Sequence, residues 1–205
     1  MSGMPLLLIA LLVLQNPDDA RTMCGTVQSY VVSPACETVL IGGSGGSPTF
    51  TILIPPAARR HFDRPPQTTY LFQGVCATGL DGQKREGLYS IVIKDPSQLR
   101  VGQRKEAPAF GEGAAHACEA GIQPARPPAR AASKRPASSK AISNAVIVEV
   151  LVDEHGRVAD ARVLSSPDPS RDATALESVR QWKFTPATRK GRAIPFVTAI
   201  SVARQ

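Results

Sequence analysis

The residues of this chain with chemistry to offer are four cysteines, three histidines, a glycine-rich run and a few adjacent charges. Cys24, Cys36, Cys76 and Cys118 are even in number, none lies past 118, and none forms a CxxC pair. Zinc sites need closer ligand pairs and redox-active dithiols need CxxC, so in an exported chain the pattern reads as two disulfides, with three connectivities open. His61 follows Ala58-Arg59-Arg60 in a loop, His116 lies in an Ala- and Gly-rich stretch, and His155 sits in a turn. Proton transfer needs a partner within hydrogen-bond reach. None of the three shares a local spacing with an acid or a nucleophile, so solvated positions are expected. The run "GGSGGS" from Gly42 to Ser47 lacks the Lys and Ser/Thr that follow the glycines of a phosphate-cradling loop, and reads as a flexible hairpin loop. Asp153 and Glu154 are neighbours in a turn rather than a pair across a cleft, and Arg59-Arg60 is a single basic dipeptide. The chemistry points away from an enzyme, and no cofactor or metal is implied.

Attention therefore moves to the elements. The chain has 205 residues, 42% of them hydrophobic but only 5% aromatic, so any core is aliphatic. Met4 to Leu14 is an apolar run. As a helix it would span only about 16 Å, at about 1.5 Å per residue. That suits the apolar region of an export signal better than a bilayer span of about 20 residues. Residues 1–20 are expected to be a signal peptide cut near Ala20, with an uncleaved, weakly anchoring segment as the alternative. The net charge of +7 is concentrated: residues 121–142 hold Arg126, Arg130, Lys134, Arg135 and Lys140 and no acid. Together with the Ala, Pro and Ser content, this reads as a basic linker over 103–140, extended or disordered, and self-repelling. A short helix around Ala114 to Ala120 would bring Cys118 back to the preceding domain.

Residues 24–102 read as a small β domain. The runs "GTVQSYVV", "ETVLI", "TFTILI", "TTYLFQGVCATG" and "LYSIVIKD" are separated by "SPA", "GGSGGSP", the stretch from Pro55 to Pro66, and "LDGQKREG". Short strands with Gly and Pro punctuation predict a sandwich or small barrel. Phe50, Tyr70, Phe72 and Tyr89 all fall within strand-like runs and are expected in the core, which argues against base stacking by this module.

The last block changes character. "AVIVEVLVD" puts Val146, Val148, Val150 and Val152 on one face of a strand and Ile147, Glu149 and Leu151 on the other. Gly156 supplies a positive φ for the "DEHGR" turn, and "VADARVLSS" returns. Asp168 or Ser170 caps a helix of about three turns whose stripe is Ala173, Leu176, Val179 and Trp182, ended by Pro186. "AIPFVTAISV" is the final strand. The order β-β-α-β predicts a three-stranded antiparallel sheet with one helix on its face, in an α+β protein.

Two resemblances follow. "CGTV", "FTILIPPAARRHF", "GVCATG" and "IVIKDPSQLRV" resemble the small OB-like modules of exported bacterial proteins. "ALESVRQWKFTPA", with Asp153, Gly156, Val158, Ser165, Ser166, Gly191 and Pro195, makes residues 143–205 similar to the TonB C-terminal domain. That likeness implies binding rather than catalysis: an energy-transducer type of envelope protein that takes up an extended segment of an outer-membrane or periplasmic partner by strand addition, in support of transmembrane transport. The candidate edge is the final strand, Phe196, Val197, Thr198, Ala199, Ile200, Ser201 and Val202. Capping of that edge by the chain's own tail or by a homodimer partner is the competing use. A periplasmic nucleic-acid or polyanion binder, acting through the OB-like module and the basic linker, is the alternative function.

Overall fold

A computed structural model of the protein describes residues 20–44, 47–85, 88–102, 109–128 and 145–202. The expected signal segment, apart from Ala20, and most of the basic stretch lie outside them. The chain is mostly β with a few short helices.

The N-terminal half comprises β1 (Ala20–Val32), β2 (Thr38–Ser44), β3 (Ser47–Ile54), helices α1 (Pro56–Arg59) and α2 (Pro66–Tyr70), β4 (Gly74–Arg85), β5 (Leu88–Val92) and β6 (Leu99–Val101). The strand order is β1-β2-β3-β5-β4-β6, and β1 also pairs with β4, so the first five strands close on themselves. Two local expectations fail. "TTY" is the end of α2, because Pro66 at the first helical position sets the helical φ and needs no partner for a missing N–H. The stretch read as a long turn after Leu80 continues β4 as far as Arg85, paired with β5. Val27, Leu40, Phe50, Ile52 and Ile91 fill the interior.

Two disulfides are present, Cys24–Cys76 and Cys36–Cys118. The first joins residues directly opposite each other on β1 and β4. The second ties the turn between β1 and β2 to a segment far along the chain, 82 residues away. That segment differs from the extended linker expected over 103–140. Within residues 109–128, Ala115–His116 (β7) and Ile122–Gln123 (β8) are strands, and no helix forms at 114–120.

The C-terminal half comprises β9 (Val146–Val152), β10 (Val158–Ser165), α3 (Asp172–Arg180), β11 (Ala187–Arg189), β12 (Arg192–Ile194) and β13 (Phe196–Val202). The sheet has four strands rather than three, in the order β10-β9-β13-β7. A second small sheet, β12-β11-β8, stands beside it. Val146, Val148, Val150, Val152 and Phe196 face α3, meeting Ala175, Val179 and Phe184. The opposite face contributes Ile147 and Ala199, with Leu164 of β10, to the core of the N-terminal barrel. The sheet is thus covered on both sides, which is why β9 is apolar nearly throughout.

The helix is shorter than its pattern suggests. It ends at Arg180, well before Pro186; Ala173 is exposed and Trp182 lies beyond the helix, half-buried, its ring 6.3 Å from that of Phe184. The chain leaves early because Phe184 N–H must reach Gly156 O, at 2.8 Å. Asp168 caps a 3-10 turn, Pro169–Arg171, that leads into the helix.

Gly156 shows how tight this junction is. It has φ +76°, and a Cβ there would lie 2.1 Å from Phe184 O. Gly156→Ala should therefore destabilise the protein by at least about 2 kcal/mol, combining left-handed strain with displacement of backbone. Urea unfolding of the variant against the parent measures the loss.

Candidate functional site

The final strand is built for pairing. Pro195, lacking an N–H, precedes it, and its β-branched residues suit a pleated surface. β13 pairs antiparallel with β9 from Phe196↔Val152 to Val202↔Val146 without a register shift. On its other side it meets β7 in parallel, Phe196↔Ala115 and Val197↔His116. Ala115 N–H donates to Pro195 O at 3.0 Å. Because backbone groups alternate sides along a strand, Val197, Ala199 and Ser201 direct theirs to this outer side. Among the described residues the pairing with β7 stops at Val197. Among the described residues, β7 thus takes up the first two residues of the expected edge, Phe196 to Val202. Phe196, Val197 and Ala199 are buried, and Thr198, Ile200, Ser201 and Val202 are half-buried.

The opposite edge of the sheet, β10, differs. Its register with β9 shifts between Val158 and Asp160 and again between Val163 and Ser165. Bulges of this kind bend a strand and blunt its edge.

A polar cluster that sequence reasoning passed over locks the sheet to the barrel. Glu149, in the middle of β9, is only 4% exposed. Its Oε2 accepts from Arg162 Nε at 2.7 Å and lies 2.6 Å from Arg162 Nη2. Its Oε1 accepts from Tyr30 Oη, on β1, at 2.8 Å. Burial first, and then the Glu149 carboxylate, push the Tyr30 phenol well above its ordinary range, so it stays a donor. The Arg162 guanidinium also lies 5.3 Å from the Phe72 ring centre and 4.5 Å from that of Phe110. The signal was legible: a single carboxylate in the run "AVIVEVLVD" has to find a partner.

The histidines divide. His61 and His155 are exposed as expected. Asp153 Oδ1 accepts from the N–H groups of His155 and Arg157, both at 2.8 Å, so that acid closes its own turn. His116 departs from expectation: it is half-buried in β7, opposite Val197. Arg59, expected in a loop, is buried, its guanidinium donating to Thr38 Oγ1 and, at 2.7 Å, to Ala117 O. Among the described residues no group of three or more His, Cys, Asp or Glu is placed to hold a metal. No helix among them is long and apolar enough to cross a membrane.

Residues 135–203 match the family described as Gram-negative bacterial TonB protein C-terminal. This stretch holds β9, β10, α3, β11, β12 and the whole of β13, and the C-terminal part of the chain is a TonB C-terminal domain. Such domains are non-enzymatic, related to transport, and found in the periplasm of Gram-negative bacteria. No curated protein and no solved structure matches the chain.

His116 makes the edge sensitive to acid. Burial lowers its pKa from the ordinary value of about 6.5; Glu119 and Glu149 oppose the shift and Arg59 adds to it. A depressed folded-state pKa means that the contribution of neutral His116 is present above about pH 6.5 and is lost as pH falls toward the lowered value. Hydrogen exchange at the Ala115 amide, corrected for intrinsic pH dependence, is expected to quicken as the pH falls below about 6.5, and His116→Gln should abolish the change.

Proposed function

We propose that the protein is an exported, periplasmic adaptor of the TonB energy-transducer type that takes up an extended segment of an outer-membrane transporter by strand addition along β13. The observation that carries this reading is β7 itself. A stretch of the chain's own backbone already adds to the outer side of β13, so that side accepts extended backbone, as strand-addition partners require. The smooth register of β13, against the bulged β10, supports the choice of edge. Main-chain pairing tolerates varied side chains, so sequence preference should be loose.

The N-terminal domain, about 24–102, we read as an OB-like module. Its strand order, with β3 and β5 parallel and the short helices between β3 and β4, supports this. Residues 103–140 then join it to the TonB-like domain at about 143–205, and residues 1–20 would direct export. Phe50 and Tyr70 are buried and Phe72 lies against Arg162, which favours the adaptor over the nucleic-acid reading.

Titrating the full chain with a Lys-flanked decapeptide of alternating Thr and Val, and separately with a single-stranded oligonucleotide, tests the reading. Saturable amide shifts centred on 198–202 with the peptide are expected. No response to millimolar peptide, together with salt-dependent oligonucleotide binding, would overturn it.

A further inference from the structure

Residues 109–126 form a strap across the start of the β13 edge. Phe110 lies over Arg162, and Gly111 sits so close to β13 that a Cβ there would be 2.3 Å from Val197 Cγ2. β7 then pairs with Phe196 and Val197. Beyond it, Cys118 is bonded to Cys36, Arg59 holds Ala117 O, and Glu119 accepts from His116 N–H at 2.8 Å and lies 3.3 Å from Arg189. β8 joins β11, and Arg126 pairs with Thr185.

The strap is packed only in part: Ala115 and Ala125 are buried in the core, and Ala117 and Ile122 lie against it. Glu112, Gly113, Ala120, Gly121, Gln123, Pro124 and Arg126 are exposed. A two-residue ladder does not by itself offset the entropy of ordering so much backbone. The disulfide removes much of that entropy by making the encounter intramolecular, at high effective concentration. Cys36 and Cys118 are half-exposed and line an open cleft of about 700 Å3, together with Arg59, Arg60 and Arg64. Asp63 and Glu119 line the cleft too, but its three arginines leave it net positive, which favours the thiolates that would leave on reduction. Cys24–Cys76 has no comparable role, since its two strands are already held by a continuous ladder.

We infer that the strap is a disulfide-latched occupant of the partner's edge. With Cys36–Cys118 closed, it excludes a partner strand from Phe196 and Val197. A dithiol reductant transfers two electrons and two protons, leaving thiols at Cys36 and Cys118 and a disulfide on itself. The strap then departs and adds Phe196 and Val197 to the edge. This rests on the strand-addition reading above.

Hydrogen exchange and peptide binding on the full chain separate the two ideas. The parent, the Cys36→Ser/Cys118→Ser variant and the Cys24→Ser/Cys76→Ser control are compared, with the Thr/Val decapeptide as probe. The latch predicts at least tenfold faster exchange at the Ala115 amide in Cys36→Ser/Cys118→Ser, unchanged exchange at Ile52 in the barrel, and at least tenfold tighter peptide binding; the control should match the parent at Ala115. Unchanged Ala115 exchange overturns the latch whatever the peptide does. A loosened Ala115 with peptide binding equal in both forms overturns the gating. A loosened Ala115 with peptide binding to neither form overturns strand addition, and the gating with it. If the serine variant does not fold, Gly111→Leu, which pushes the strap off Val197 with both disulfides intact, must give the same loosening and the same gain in binding.

Discussion

A carboxylate in the middle of a buried strand has to be paired, and the pairing of Glu149 organises this molecule. Desolvating one charge costs several kcal/mol, and only a closely placed countercharge with further hydrogen bonds makes it tolerable. Arg162 supplies the charge from the neighbouring strand, and Tyr30 supplies the hydrogen bond from the barrel. Phe72 and Phe110 bracket the guanidinium from the barrel and from the strap. One ion pair therefore touches all three parts of the fold. Apolar contacts of Ile147, Leu164 and Ala199 add area to the same junction, but area is not directional. The buried polar triad admits one register of sheet on barrel.

Given that register, the placement of the edge follows. One face of the C-terminal sheet is closed by α3 and the other by the barrel, so strand pairing is left to the two edges. β10 is bulged. β13 is regular, and the chain covers its first residues with a segment that is itself tied to the barrel. Binding by backbone pairing, and control of that binding by a competing strand, are then properties of the same few residues.

Much of the C-terminal domain could be read from sequence because its signals are local. The alternation of Val146, Val148, Val150 and Val152, the glycine at 156 and the Trp-Lys-Phe run each state a backbone requirement at the place where it applies. Errors arose where a distant contact decides. The helix stops at Arg180, before any helix breaker, because Phe184 must reach Gly156. The cysteines announce disulfides but not which pairs with which, since that depends on a fold not yet assembled. The strap was hidden more thoroughly. Its Ala, Gly and Pro composition carries no apolar period, and its order comes from a disulfide, a buried arginine and a few backbone hydrogen bonds. Glu149 announces a charge in need of a partner, but not that Arg162 and Tyr30 supply it, because Tyr30 lies 119 residues away, in the barrel.

Whether the Glu149–Arg162 pair holds the parts in register is most directly tested by unfolding Arg162→Ala in urea, with amide exchange at Ile52 in the barrel and Val150 in the sheet as separate probes. The parent should show one transition common to both. The variant leaves a buried carboxylate with Tyr30 alone, so a loss of about 3–5 kcal/mol is expected, with the sheet probe melting before the barrel probe. A variant within about 0.5 kcal/mol of the parent, the size of change typical of an unremarkable surface substitution, and with both probes still coincident, would contradict the account.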